Sequence, residues 1–527
     1  MPETKAKKTK PIIVRRILKL IILALLSLLL IAALILQAPW KVVTPLIILL
    51  LACTALPKPA RIWFWLSAAI VVIALAIWVF LPDQNDIWHP YTLDKKIADH
   101  EAKFAIPQEQ NAATIYNRLL QDFNPKEWWL GFLHQQVYNQ TSAEPWLSRS
   151  HPELTKWLRS HKKTITDLPE ASQMKTCRFP GIFKLSRRNK LEKNRYSALK
   201  SWALALLFSG NNDVAEGRPD EAFSKYICAL QIADHLHQQK RIVDFLIGFG
   251  IEGLTLPPLN RFLIENGPTE TQLQRVSDVL GNLENNWSSD FSQCLEYDKL
   301  LITNTFCSLV YQTNSKGRVR LSRDPAAAIW GRRRTIALTE TYWQKKSWKV
   351  YAILAWFFLP STPQKAAEMI DEIFEECSAM AEADFAWDKE NIVSTIPFKL
   401  NCRFVVNSLT NNSTPLYGGF HYLYLKRLAQ RRGLRLLIAL KQYKMKNGSW
   451  PENLDALKYS VPDEAFIDAV NNGSFIYKPA DDSFVLYSKG KNNIDEGGKR
   501  DPKSGADDWP IWPRRTRKTK EENADDE

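Results

Sequence analysis

Apolar and polar residues are distributed along the chain in three successive patterns. Near the N-terminus the apolar residues are continuous: Leu20 to Leu36 carry no charge and one polar side chain, Ser27, and with Ile17, Leu18 and Lys19 the run reaches 20 residues. That is about 30 Å of helix, enough to span a bilayer. A second run, Val42 to Leu56, has 15 residues and contains Pro45, and a third, Ile62 to Leu81, has 20 with Trp63, Trp65 and Trp78 at belt positions. From Asp83 to about Pro107 the chain is polar and reads as a linker. Beyond it the apolar residues recur at helical spacing. In Asn111–Phe123, Ile115, Leu119, Leu120 and Phe123 share one face. Further helical windows run over Pro152–Thr164, Lys190–Phe208, Asp220–His237, Arg241–Leu254, Thr269–Leu283, Ser288–Tyr311, Lys346–Phe358, Pro363–Ala383 and Ile396–Ser408.

The period changes near the C-terminus. Leu425, Leu428, Leu436, Leu437, Leu440 and Tyr443 line a long basic helix that stops at Asn447-Gly448. A short helix over Asn453–Lys458 follows, then two alternating strands, Ser474–Lys478 and Ser483–Ser488, joined by Pro479–Asp482 as a hairpin. The expected fold class is therefore mainly α, with N-terminal transmembrane helices, an irregular helical domain and a small C-terminal α+β module holding an antiparallel hairpin. The boundaries read 1–16 basic cytoplasmic tail, 17–82 membrane anchor, 83–107 linker, 108–416 helical domain, 417–513 long helix plus α+β module, and 514–527 charged tail.

Charge sharpens the topology. The 527 residues carry +14, but residues 1–82 hold ten basic and one acidic residue, leaving +5 for the remainder. The basic residues ahead of the first span (Lys5 to Lys19) hold that end in the cytoplasm. With three spans, everything after Pro82 lies outside; if Val42–Leu56 is a re-entrant hairpin, it lies inside. The first run's length and the lack of a small-x-small cleavage site set it apart from a signal peptide. The tail after Pro513 balances five basic against five acidic residues and reads as disordered. So small an excess beyond the anchor argues against a nucleic-acid partner, even at Arg187, Arg188, Lys190, Lys193 and Arg195 or at Arg332, Arg333 and Arg334.

Candidate chemistry is sparse. Gly248-Phe-Gly250-Ile-Glu-Gly253 fits a dinucleotide fingerprint in letters, but that mechanism needs a preceding strand. Here Ile242, Val243, Leu246 and Phe249 keep helical spacing, and Pro257-Pro258 is expected to end the helix. His235 and His237 would point about 200° apart on their helix, which prevents joint chelation, and are expected at the surface. Asp371, Glu372, Glu375 and Glu376 read as a solvated helix face. Cys294 and Cys307 share a helix and would lie about 20 Å apart, too far to bond. The six cysteines outside the membrane runs, an even number, read as buried free thiols or, in an oxidising compartment, as disulfides. No metal-ligand, P-loop or nucleophile-elbow motif occurs, and no catalytic residue is assigned.

Two resemblances add to this. Gly217-Arg-Pro-Asp-Glu-Ala-Phe-Ser-Lys-Tyr-Ile-Cys-Ala-Leu-Gln-Ile-Ala233 resembles one tetratricopeptide-type helical hairpin over roughly 35 residues, with Ala222, Phe223, Tyr226, Ala229 and Leu230 on its packing face and no clear repetition. Ala439-Leu440, Tyr443, Asn447-Gly448-Ser449-Trp450-Pro451, Leu454, Leu457, Phe475-Ile-Tyr477, Phe484 to Gly490, Asp495-Glu-Gly-Gly498 and Asp507-Asp508-Trp509 resemble the globular end of the major pseudopilins of type II secretion. The match covers about a seventh of the chain. It implies a calcium loop, to which Asn492, Asp495, Asp507 and Asp508 correspond by residue type; a solvated acidic loop is the alternative. The family's Asp-Pro-Trp-Gly turn is replaced by Asp468-Ala-Val-Asn-Asn472, and its N-terminal assembly helix is missing, so polymerisation as a pilin is not implied. The whole arrangement resembles multi-domain membrane proteins of environmental bacteria. The expectation is a multi-pass protein of the bacterial inner membrane with its large domain extracytoplasmic. It would contact the bilayer and a protein or peptide partner as a non-enzymatic scaffold; the alternative is an envelope hydrolase whose groups come from scattered helices. The 19 Trp residues could line a glycan site, though core packing and membrane belts explain most of them.

Overall fold

The computed structural model describes residues 87–181, 190–283, 286–322, 362–382, 413–480, 482–501 and 504–513. The three apolar N-terminal runs, the windows Lys346–Phe358 and Ile396–Ser408, and the tail after Pro513 lie outside these residues. The described chain is mainly helical with small antiparallel sheets.

The stretch expected as a linker carries structure. β1 (Trp88–Pro90) is followed by α1 (Asp94–Lys103), whose Lys103 reaches Glu296 at 2.6 Å. α2 (Ala113–Gln121) and α3 (Gln135–Ala143) come next. The window Pro152–Thr164 divides at His161 into α4 (Pro152–Ser160) and α5 (Lys162–Ser172). The His161 ring turns back on Trp157 and Trp128, with its Nδ1 2.8 Å from the Trp157 carbonyl, which closes the corner.

The centre is a three-helix layer of α6 (Lys190–Ala215), α7 (Pro219–His237) and α8 (Ile242–Glu265), with α7 between the other two. Gly217, at φ +76°, turns the chain between α6 and α7, a conformation an L side chain rarely adopts, and Pro219 enters the first turn of α7, where its missing N–H costs nothing. Ala222, Phe223, Tyr226, Ala229 and Leu230 are all buried, and Tyr226 donates to Asn211 of α6 at 2.6 Å. α8 does not end at Pro257-Pro258. It runs two further turns because Leu256, Leu259, Phe262 and Leu263 are buried on the same core, and packing outweighs the two backbone hydrogen bonds that proline removes. Among the described residues α8 is also the one helix long and apolar enough to cross a membrane, and most of it is inside the core.

α9 (Glu270–Asn282) starts on a capping box between Thr269 and Gln272, and α10 (Trp287–Val310) starts on the Asn286 side chain. α10 leads into β2 (Tyr311–Asn314) and β3 (Val319–Leu321), which join β1 in the antiparallel order β1-β2-β3. α11 (Pro363–Glu382) lies on α10. Its Asp371, partly exposed, meets Lys299 at 3.1 Å, and Glu372 and Glu375 are exposed, in keeping with a solvated face.

α12 (Ser413–Asn447) begins earlier than the apolar spacing indicated and packs along α8. Gly448, at φ +80°, ends it, and a 3-10 turn stands at Leu454–Leu457. β4 (Ile476–Pro479) and β5 (Phe484–Ser488) form the expected hairpin. A third strand that the alternation did not reveal completes the sheet: after the short pair β6 (Arg500–Asp501) and β7 (Ala506–Asp507), β8 (Trp509–Trp512) adds to β5 with an irregularity at Leu486/Tyr487. One apolar cluster runs from Ala112 to Trp512, so the C-terminal module and the helical domain share a core. Ile511 seats on Gly433, where a Cβ would collide with it.

Candidate functional site

Two polar constellations stand out: the acidic loop between β5 and β8, and a set of charged side chains buried around α8. The loop leaves β5 at Gly490, whose φ is +65°; any Cβ there would strike the Asp507 carboxylate. Asp507 accepts the Lys491 amide at 2.7 Å. Asp508 is fully buried, and its Oδ2 accepts the amides of Glu496 (2.9 Å) and Gly498 (2.8 Å). Asp508 Oδ1, Glu496 Oε2 and Asp507 Oδ1 are buried and receive no N–H donor, and the Asp508 and Glu496 carboxyls can satisfy each other only by sharing a proton. Burial pushes the Asp508 carboxyl up to about 6, and the adjoining Glu496 carboxyl adds to the rise. Burial opposes ionisation of Glu496 too, but hydrogen bonds from Asn492 and the Asp508 carboxyl hold it below its usual range. Of the two, Glu496 therefore loses its proton first as pH rises.

The other two loop residues are committed elsewhere. Asp495 accepts from Tyr487 Oη at 2.6 Å and the Gly497 amide at 2.9 Å, and Lys478 stands 3.4 Å away, so a cation is already in place. Asn492 caps the Ile494 amide at 2.8 Å and donates to Glu496. Among the described residues no group of three or more Asp, Glu, His or Cys side chains is placed to hold a metal ion. Of the four residues matched by type, the structure therefore does not gather Asp495, Asp507 and Asp508 as one ligand set. It pairs Asp508 with Glu496, one position past Asp495 and missed by matching residue types. Two carboxylates fall short of the roughly six to eight oxygens that Ca²⁺ takes, so the loop in this arrangement does not gather a calcium site.

Around α8 the charges are internal. His235 and His237 are both 2% exposed, contrary to the expectation of surface histidines. They do point apart. His235 Nδ1 meets Tyr116 Oη at 3.0 Å and its Nε2 meets the Met174 carbonyl at 2.8 Å; burial lowers this imidazole to about 4. His237 stacks on Phe245 and lies 3.4 Å from Glu252; burial lowers it to about 3. Glu252, fully buried, is held bidentately by Arg431 of α12 (Nε to Oε2 2.9 Å, Nη2 to Oε1 2.6 Å). Its burial opposes ionisation, and Arg431 more than offsets that. Arg431 also donates to the Leu283 carbonyl. Nearby, Asp244 sits between Arg241 at 3.7 Å and Arg195 at 3.9 Å, and burial drives Asp298 up to about 7.

The glycine-rich pattern on α8 belongs to this packing. A Cβ at Gly248 would strike the His237 ring and one at Gly253 the Arg427 guanidinium, whereas Gly250 faces open space. The glycines let α7 and α12 close on α8; they are mid-helix, as the rejection of a nucleotide site requires.

No family model, curated protein or solved structure matches this chain.

Among the described residues Cys177, Cys228, Cys294 and Cys307 are buried and free, and burial raises all four thiols. Cys294 and Cys307 share α10, as expected. Arg195, part of the expected basic cluster, is buried over the Phe179 ring at 4.5 Å, so it is not offered to phosphate. The seam between α8, α12 and β8 holds a shallow depression lined by Gly253, Leu256, Asn260, Gln430 and Ile511, open to solvent.

Proposed function

We propose that this protein is a membrane-anchored, non-enzymatic scaffold that presents one rigid body, helical domain and C-terminal module together, to a protein or peptide partner. In this reading residues 17–36 and 62–81 span the bacterial inner membrane, 42–56 crosses between them, and the body lies on the extracytoplasmic side. The tetratricopeptide-like hairpin of α6 and α7 and the pseudopilin-like module are parts of that body. The observation that carries the proposal is where the reactive side chains lie. His235 is held by hydrogen bonds, Glu252 and Asp244 by ion pairs that tie helices together, and His237 is packed uncharged against Phe245 beside Glu252; all four are inside the core and none of them lines the seam depression. A hydrolase would instead place such groups around an open cleft.

Two measurements test it. An engineered cysteine near Asp83 should react with an impermeant thiol reagent in intact cells; no labelling would sink the three-span topology. Affinity isolation from detergent after cross-linking should recover the same partner in repeated preparations, and recovery of the chain alone would overturn the scaffold reading.

A further inference from the structure

The loop from Asp122 to His134, between α2 and α3, has an unusual distribution of apolar side chains. Trp128 is buried and meets Trp157 edge to face, with ring centroids 5.6 Å apart. Leu130 and Leu133 pack against the core, and the Leu133 amide closes a turn on the Leu130 carbonyl at 3.0 Å. The residues between them point the other way. Trp129 is 72% exposed and Phe132 40% exposed, although the fold buries neither and gains nothing from their being apolar. Gly131 has no Cβ, which leaves room for the Trp129 ring to lie over the turn.

The rim of this tip is basic. The Trp157 indole donates to the Glu127 carbonyl at 3.1 Å and the His161 ring lies tilted against Trp128 at 4.2 Å, so the corner between α4 and α5 abuts the loop. Lys126 on the loop and Lys156, Arg159, Lys162 and Lys163 at the corner are all exposed, and these five basic residues outnumber the exposed acidic residues Asp122, Glu127 and Glu153.

We propose that this loop is a lipid-contact site, with Trp129 and Phe132 inserted at the headgroup level of a bilayer and the lysines and arginine of the corner lying on anionic headgroups. Trp and Phe at a basic rim are the composition of an interfacial anchor. Two aromatic side chains offer at most about 500 Å², short of the ~800 Å² per partner that a stable protein interface buries. A bilayer needs no such area, because its headgroup region accepts single rings. The inference rests in part on the anchor reading: a span ending at Leu81 leaves six residues before β1 begins at Trp88, a reach of about 23 Å from one to the other. That tether would keep the body at high effective concentration beside the membrane.

The test uses the full chain in vesicles, with an environment-sensitive NBD label on Phe132→Cys and, as control, on Tyr459→Cys, a fully exposed site. Background from native cysteines is measured on the unsubstituted chain and subtracted. At position 132 the emission should move to the blue and fall at least twofold with doxyl-labelled lipid, with no change at 459. Anionic lipid should deepen the quenching, and Lys162→Glu with Lys163→Glu should remove that gain. A probe at 132 as open to aqueous iodide as the one at 459 would overturn the proposal. So would a probe shielded from iodide in native membranes yet unquenched by lipid, which would mean that a protein covers the loop. Carbonate extraction of the same membranes separates the two readings: release of the chain would end the anchor reading and leave the probe at 132 to decide the loop.

Discussion

His235 and His237 show how little a residue's letter says about its protonation. Both are neutral because burial removes the water that would stabilise the imidazolium, and their folded values of about 4 and about 3 lie below the ordinary 6.5. The unfolded chain therefore takes up protons first. Stability contributed by these groups is complete above pH 6.5 and is lost as pH falls, by about 2 kcal/mol per histidine near pH ~4.5. Thermal melts should show that decline, and His235→Gln and His237→Gln should each flatten it; an unchanged slope would mean that neither imidazole titrates on unfolding. Asp508 acts in the opposite direction. Its folded value, about 6, is above the ordinary one, so without a cation the stability it contributes is present at low pH and is lost as pH rises through 6. With two carboxylates and no further ligand gathered around them, added Ca²⁺ should leave the melting temperature unchanged at pH ~7.5 and at pH ~5; a rise at the higher pH that Asp508→Asn abolishes would show that the loop rearranges to bind the ion.

At the level of the element, α8 obeys packing before propensity. Pro257 and Pro258 weaken it locally, three glycines thin its surface, and it still extends from Ile242 to Glu265 because both neighbours close on it. The glycines are not equivalent. Gly250→Ala adds a methyl to open space and should stabilise by up to about 1 kcal/mol through helix propensity. Gly248→Ala drives a methyl into the buried His237 ring and should destabilise by about 1–3 kcal/mol. Chemical denaturation of the two single variants would read the opposite signs. Equal effects would show that α7 can give way at this contact.

For the whole molecule, α12 is the joint. Its Arg431 holds Glu252 of α8, its Gly433 receives Ile511 of β8, and Lys441 donates to the Ile264 carbonyl at 2.8 Å. The C-terminal module is thereby continuous with the helical core. Limited proteolysis should fail to release the module intact, and Arg431→Met should cost about 3–5 kcal/mol by leaving Glu252 buried without its partner. Recovery of a stable fragment beginning near Gly448 would show that the module folds by itself.

The sequence by itself determined the helical class, most helix positions and the β4–β5 hairpin, because 3.6- and 2-residue periodicities are local consequences of which face is buried. It also determined that the glycine pattern on α8 is no nucleotide loop, since the flanking spacing is helical. Only the tertiary structure decided where α8 ends, that β8 joins the sheet, that His235 and His237 are interior, and that Glu496 rather than Asp495 meets Asp508. Each of these depends on a contact between residues distant in the chain or on the side to which a turn directs a side chain. Local pattern carries neither, because a proline, a histidine or an acidic residue takes its role from what the rest of the fold packs against it.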